Sequence, residues 1–164
     1  MHRAAGSRRV VELHGTSREV MCIGVAPRLG TPSGCGFRAP HRWAFGVIDA
    51  GIADPACPTC GGIVKLATVS FGQNLFPGDL QAAAQLVGAA DMVLAVSSSL
   101  QVYPAADLPA TAVRTGVPLA IVNDEPTPLD AAATVVARGR AGVVLPPAVA
   151  AALTTIADQG APVL

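Results

Sequence analysis

From Ile63 onward the chain alternates short apolar runs with helical stretches, and this alternation narrows its fold more than any other feature. Met92–Val96 is a run of consecutive apolar residues ended by Ser97, Ser98 and Ser99, and Leu119–Val122 is another, closed by Asn123-Asp124-Glu125-Pro126. A strand with no polar alternation is buried on both faces, as in a parallel sheet covered by helices. Around these runs, Ile63–Phe71 reads as extended. Asp79–Ala90 reads as a helix behind Pro77-Gly78, and Tyr103–Thr115 as a second helix stopped by Gly116. Leu129–Ala137 is expected as a short helix, Gly142–Leu145 as a short strand and Pro147–Ala157 as a closing helix. The fold class is therefore α/β, a parallel sheet with right-handed crossovers and helices on both faces. Arg9–Leu13 reads as one more short strand, delivering His14 and Gly15 at its end.

Residues 22–62 break this pattern. Gly, Pro and Cys dominate, periodicity is weak, and large apolar side chains are few, so this irregular insert needs a staple. Cys57-Pro58-Thr59-Cys60-Gly61-Gly62 supplies the best candidate. A C-x-x-C pair lets two thiolates close on one tetrahedral ion, and the glycines free the backbone beneath the sulfurs. A redox dithiol is the rival reading of the same pair, though the strand-to-helix setting of such motifs is missing. Cys22 is the natural third zinc ligand, while position 25, where its own partner would stand, is Val25. The fourth place falls to Cys35 or, less readily, to His41, and Cys35 as a free thiol stays open.

The 164 residues suit one ordinary domain, and 51% of them are hydrophobic against 13% charged. Eleven basic residues balance eleven acidic ones, so no whole-chain field recruits nucleic acid or an anionic membrane. Arg3, Arg8 and Arg9 read as a solvated basic end. No secretion-type start is visible, and the apolar stretches are interrupted before the roughly 20 residues of a membrane span. A cytoplasmic protein with no nucleic-acid or membrane partner is expected. Four cysteines are too sparse for a disulfide scaffold.

His14 stands beside Gly15 and Thr16 at a predicted strand end, where an imidazole can reach a cleft and transfer protons near neutral pH. A purely structural histidine is the plainer alternative. Ligands of open parallel sheets sit outside the carboxyl ends of the strands, where residues 97–99 and 123–125 fall. Ordinary turn chemistry also accounts for either set alone.

Four segments, AGSRRVVELHGTSREVMC, CPTCGGIVKLATVSFGQNLFP, ADMVLAVSSSLQVYPAADLP and LAIVNDEPTPLD, resemble in order the C-terminal two thirds of a sirtuin, the NAD-dependent protein deacylase family, bacterial members above all. The resemblance implies the C-terminal portion of a Rossmann-like domain. Residues 1–21 would carry the catalytic-histidine segment, 22–62 a small zinc-binding module, and 63–164 the rest of the NAD-binding domain. It makes His14 the catalytic general base. It places Val69, Ser70, Phe71 and Gly72 along the acyl-lysine groove, where a peptide adds as a strand. Ser97, Ser98, Ser99, Asn123, Asp124, Glu125 and Ala141 would face the nucleotide. Cys22, Cys35, Cys57 and Cys60 would hold structural zinc, and NAD and an acyl-lysine protein or peptide are the implied cofactor and partner. Four positions depart from the family pattern: Ser97 replaces a glycine, Gln73 a glutamate, Leu66 a proline and Val25 the second zinc cysteine. The family's Gly-rich phosphate loop, its cofactor-binding loop and its nicotinamide-positioning Gln-Asn-x-Asp motif have no counterpart here. The expectation is therefore an incomplete deacylase, inactive as an isolated chain, with a partner chain covering the exposed sheet edge. The alternative is a catalytically silent remnant or zinc-bearing interaction fragment.

Overall fold

The computed structural model describes residues 2–26 and 34–158, and the chain divides into two compact units, Met1–Ala82 and Ala83–Leu164. Residues 27–33 of the expected insert lie outside the described residues.

The first unit is built on a three-stranded antiparallel sheet in the order β2-β1-β3, with β1 at Gly15–Gly24, β2 at Arg38–Pro40 and β3 at Ile63–Thr68. Central β1 buries Val20, Met21 and Cys22, and β3 answers with Ala67, which is fully enclosed. Gly15 opens β1 with φ +76°, and a Cβ there would lie 2.0 Å from the Ala67 carbonyl oxygen, so only glycine fits the junction. Helix α1, His41–Asp49, packs on β1 and β2, with Trp43 edge-on to Phe37 at 5.0 Å between ring centroids. It ends where the Gly51 amide returns to the Ile48 carbonyl.

The second unit holds the parallel sheet. Strands β4 (Val93–Val96), β5 (Leu119–Asn123) and β6 (Val135–Arg138) lie side by side in sequence order. Rungs run from Val93↔Leu119 to Val96↔Val122, and from Ala120↔Val135 to Asn123↔Arg138. Leu100, Leu119 and Ile121 form the core, packed by Val93, Ala95, Val113, Leu129, Ala133 and Val136. Helix α3 (Asp107–Arg114) covers β4 and β5, and α4 (Ala141–Asp158) packs on β5. The chain break between units falls within helix α2, Pro77–Gly88.

The apolar strand readings at β4 and β5 hold, and several others are corrected. The sheet is mixed in class: the strands around the cysteines are antiparallel, and only the second unit is parallel. Arg9–Leu13 is not a strand; β1 begins after His14. The irregular insert contains α1. Leu129–Ala137 is a single 3-10 turn at Asp130–Ala132 followed by β6, because β-branched Val135 and Val136 pair with Ala120 and Ile121. Gly142–Leu145 belongs to α4, since a parallel strand cannot follow β6 without a crossover of a dozen residues. Helix α4 has 18 residues and a mean hydropathy of 1.5, with Pro146 and Pro147 inside it. It is long and apolar enough to cross a membrane, where the sequence led to no such expectation. It touches β5, and none of its residues is buried.

Candidate active site and metal centre

The β1–β2 hairpin explains the metal centre. Val20 pairs with Ala39 and Met21 with Arg38, and the Cys22 amide donates to the Phe37 carbonyl at 3.0 Å. This register carries Cys35, just before β2, back to Cys22. On the other side, the Gly61 amide returns to the Cys57 carbonyl and the Cys57 amide donates to the Gly62 carbonyl, each at 2.8 Å. Gly61 takes φ +70°, and a Cβ on Gly62 would lie 2.6 Å from the Gly24 backbone.

The four sulfurs lie within 4.8 Å of one another, with Cys22–Cys60 and Cys35–Cys57 each at 3.5 Å. A zinc ion with Zn–S bonds of about 2.3 Å requires sulfurs roughly 3.8 Å apart, so the set fits a tetrahedral ion. The Gly24 amide donates to Cys22 Sγ at 3.3 Å, a bond that favours a thiolate. Burial pushes the Cys57 thiol up, but backbone bonds from Thr59 and Cys60, with the Cys35 and Cys22 side chains, bring it down to about 6. The Gly62 backbone bond pulls Cys60 down, yet Cys22, Cys35 and burial push it up to about 12. His41 stands outside the cluster, its Nδ1 2.8 Å from the Arg18 carbonyl, and Val25 is 73% exposed.

In the same unit His14 occupies an exposed turn before β1, and its carbonyl accepts the Val69 amide at 2.9 Å. That single bond, beside the Gly15↔Thr68 rung, joins the expected base to the expected acyl-lysine segment. Phe71 presents its entire side chain to solvent. The segment is folded by a residue pair that the sequence reading left unassigned. Lys65 Nζ donates to the Thr68 carbonyl and, at 3.1 Å, to Gln73 Oε1, which also accepts the Ser70 amide at 2.8 Å. Burial lowers the Lys65 pKa. Gln73→Glu places a carboxylate against this ammonium and should stabilise the chain by about 0.5–1 kcal/mol, read as a higher urea midpoint with an unchanged slope. An unchanged or lower midpoint would mean that Lys65 does not engage the new charge.

In the second unit the expected nucleotide-facing residues gather at one edge. Ser97–Ser99 follow the carboxyl end of β4, Asn123–Glu125 that of β5, and Ala141 opens α4 just beyond β6. All three strands are parallel, so these residues share the edge where open sheets bind ligands. Ser97 takes φ +50° and Leu100 φ +55°, a left-handed region costly for residues with a Cβ. The Ser97 amide donates to the Val122 carbonyl at 2.9 Å, and Ser98 Oγ accepts the Leu100 amide at 3.3 Å, holding the turn in place. Relief of left-handed strain by Ser97→Gly, about 1–2 kcal/mol, exceeds the roughly 0.5–1 kcal/mol of added chain entropy. The variant should gain about 0.5–1 kcal/mol in stability by calorimetry. A loss would show that the turn is not strained at this position.

The sequence reading also passes over Thr127, Asp130 and Arg138, which tie the β5 loop together. The Thr-x-x-Asp spacing, with its capping-box form, was the visible signal.

These features give an α/β chain with a four-thiol cluster able to hold a metal ion, a histidine at a strand entrance and polar residues gathered at the carboxyl ends of a parallel sheet. The Sir2 family matches over residues 1–104, and the chain belongs to that family. It is 44% identical over 148 residues to NAD-dependent protein deacetylase 2 of Streptomyces coelicolor, covering 89% of this chain and 57% of that protein. It is 37% identical to NAD-dependent protein deacetylase 1 of Pyrobaculum aerophilum, with 89% and 53% covered. A solved structure of Sir2 with a p53 peptide and NAD+ aligns at a TM-score of 0.73 and 31% identity, over 97% of this chain and 59% of that one. Another, of Sir2 bound to acetylated peptide, gives 0.73 and 30% over 98% and 60%. The chain thus spans little more than half the length of these relatives.

Proposed function

We propose that this chain supplies the base, the zinc module and one nucleotide-binding edge of an NAD-dependent protein-lysine deacylase. The bond between the His14 carbonyl and the Val69 amide carries the proposal, because it holds the backbone of residue 14 beside the segment a peptide strand would join. Residues 1–21 and 63–164 belong to the Rossmann-like domain, and residues 22–62 are the zinc module. Cys22, Cys35, Cys57 and Cys60 hold structural zinc, a thiolate set suited to the reducing cytoplasm.

Bound dinucleotide would supply an electrophilic ribose carbon with nicotinamide as its leaving group, and His14 would act as the general base toward a ribose hydroxyl. Val69–Gly72 orient the acyl-lysine backbone, and Ser97–Ser99, Asn123–Glu125 and Ala141 line the nucleotide edge.

Strand β4 pairs only with β5 among the described residues, and Met92 and Leu94 on and beside it are 58% and 46% exposed. A parallel strand from a further segment or a partner chain covers this edge. The same exposed edge favours a second reading, a silent zinc-bearing interaction fragment. The separating experiment incubates the chain with NAD and an acetyl-lysine peptide, alone and with a polypeptide corresponding to the unmatched part of the Streptomyces relative. Nicotinamide release only in the mixture supports the deacylase. No release in either arm favours the interaction fragment.

A further inference from the structure

Strand β3 is an outer strand of the first sheet, paired with β1 on one side and, among the described residues, touched on the other only by the Ala56↔Ile63 bridge at its start. Main-chain groups of successive residues in a strand point to opposite sides. The Val69 amide points inward, to the His14 carbonyl at 2.9 Å beside the Gly15↔Thr68 rung, so the Thr68 carbonyl and the Ser70 amide point outward. They are the acceptor and the donor that an added strand would use. Both are already taken. Lys65 Nζ donates to the Thr68 carbonyl, and Gln73 Oε1 accepts the Ser70 amide at 2.8 Å. Lys65 Nζ also donates to Gln73 Oε1 at 3.1 Å, which joins the two side chains. The Gln73 amide returns to the Ser70 carbonyl at 2.9 Å and Gly72 takes φ +80°, so the chain turns directly after the occupied groups.

We propose that Lys65 and Gln73 are specificity-determining residues that seal the outer edge of β3 at Thr68 and Ser70 and confine main-chain pairing by an acyl-lysine peptide to Phe71 and Gly72 beyond it. This deepens the peptide assignment made above and rests on it. The two side chains present a donor to Thr68 and an acceptor to Ser70, the same pair of partners that a neighbouring strand would offer. A lysine at a free sheet edge is a known guard against such pairing. The ion pairs among the described residues are Arg38–Glu19 and Arg138–Asp130, so the Lys65 ammonium has no carboxylate partner there. Its bonds go to neutral acceptors of the segment it guards. Both residues are half-buried, in keeping with side chains folded against the edge instead of extended into solvent. With the edge sealed, little peptide main chain is read. Affinity then depends on the acyl-lysine and hardly on how far the peptide extends.

The test titrates the full chain with two acetyl-lysine peptides and follows backbone amide resonances. One peptide has a single residue on each side of the acetyl-lysine, and the other is extended at both ends by threonines, which are uncharged and favour strands. The wild type should bind the two within about threefold of each other, with shifts at Phe71 and Gly72. Lys65→Met combined with Gln73→Leu unseals the edge and should bind the extended peptide at least about tenfold more tightly than the short one, because added main-chain bonds supply affinity. Hydrogen exchange at the Ser70 amide should be slow in the wild type and fast in Gln73→Leu, with β1 protected in both. If the double variant loses β1 protection, Gln73→Leu alone carries the same comparison, since it frees the Ser70 amide. Equal affinities for the two peptides in the unsealed chain, or a wild type that already favours the extended one about tenfold, would overturn the sealing role and leave the peptide assignment standing. A Ser70 amide that exchanges freely in the wild type would do the same. No shift at residues 69–72 with either peptide in any of these chains would overturn the peptide assignment itself.

Discussion

A chelator that strips the metal should unfold the β2-β1-β3 sheet while β4-β5-β6 keeps its exchange protection. The first unit has little else to hold residues 34–62. Its buried apolar side chains are few, Val20, Met21, Ala67 and Leu75 among them, and α1 buries none of its residues. A structural zinc contributes on the order of 10–16 kcal/mol, comparable to the whole stability of an ordinary domain at about 5–15 kcal/mol. The purified chain should carry about one zinc, and Cys35→Ala should release it as fully as Cys57→Ala. Val25→Ala should leave both zinc content and fold unchanged, since that side chain faces solvent. Metal-free protein with a protected first sheet would sink the assignment. Zinc retained by Cys35→Ala would remove Cys35 from the ligand set.

The second large effect is at His14. In the proposed deacylase, assayed together with the polypeptide corresponding to the unmatched part of the Streptomyces relative, His14→Ala should lower turnover by about 100- to 10,000-fold, the usual range for a general base. The substitution is a clean probe of chemistry because the fold hardly uses the imidazole. His14 is exposed, and what ties it to Val69 is its backbone carbonyl, which alanine keeps. Thermal stability should therefore change by less than about 0.5 kcal/mol, as for surface positions generally. Undiminished nicotinamide release in the variant would assign the base to another residue. The 164-residue chain alone should release none.

How much of this was legible in the sequence differs between the two units. In the second, Val93–Val96 and Leu119–Asn123 announce themselves because burial on both faces leaves no polar alternation to misread. Their polar exits at Ser97 and Asn123 mark the ligand edge for the same reason. The errors fall where local preference and tertiary context disagree. Val143, Val144 and Leu145 look like a strand, yet the chain has only just left β6 and must turn into a helix to cover the sheet. The Ala-rich stretch near residue 131 looks helical, yet Val135 and Val136 pair with β5 and end it after a single turn. In the first unit, neither spacing nor periodicity could choose among Cys35, His41 and a three-ligand site. The hairpin register decides it, by laying Phe37 against Cys22. Strand pairing of this kind is set by contacts between distant residues, which no local window of sequence contains.

The way Gly34 meets Cys22 bears on how such a centre tolerates drift over generations. A side chain at Gly34 would place its first carbon 1.9 Å from the Cys22 carbonyl oxygen, with no freedom to move aside. The position beside the second thiol should therefore stay invariant among homologues. A homologue that lost this glycine would have to abandon the ligand next to it.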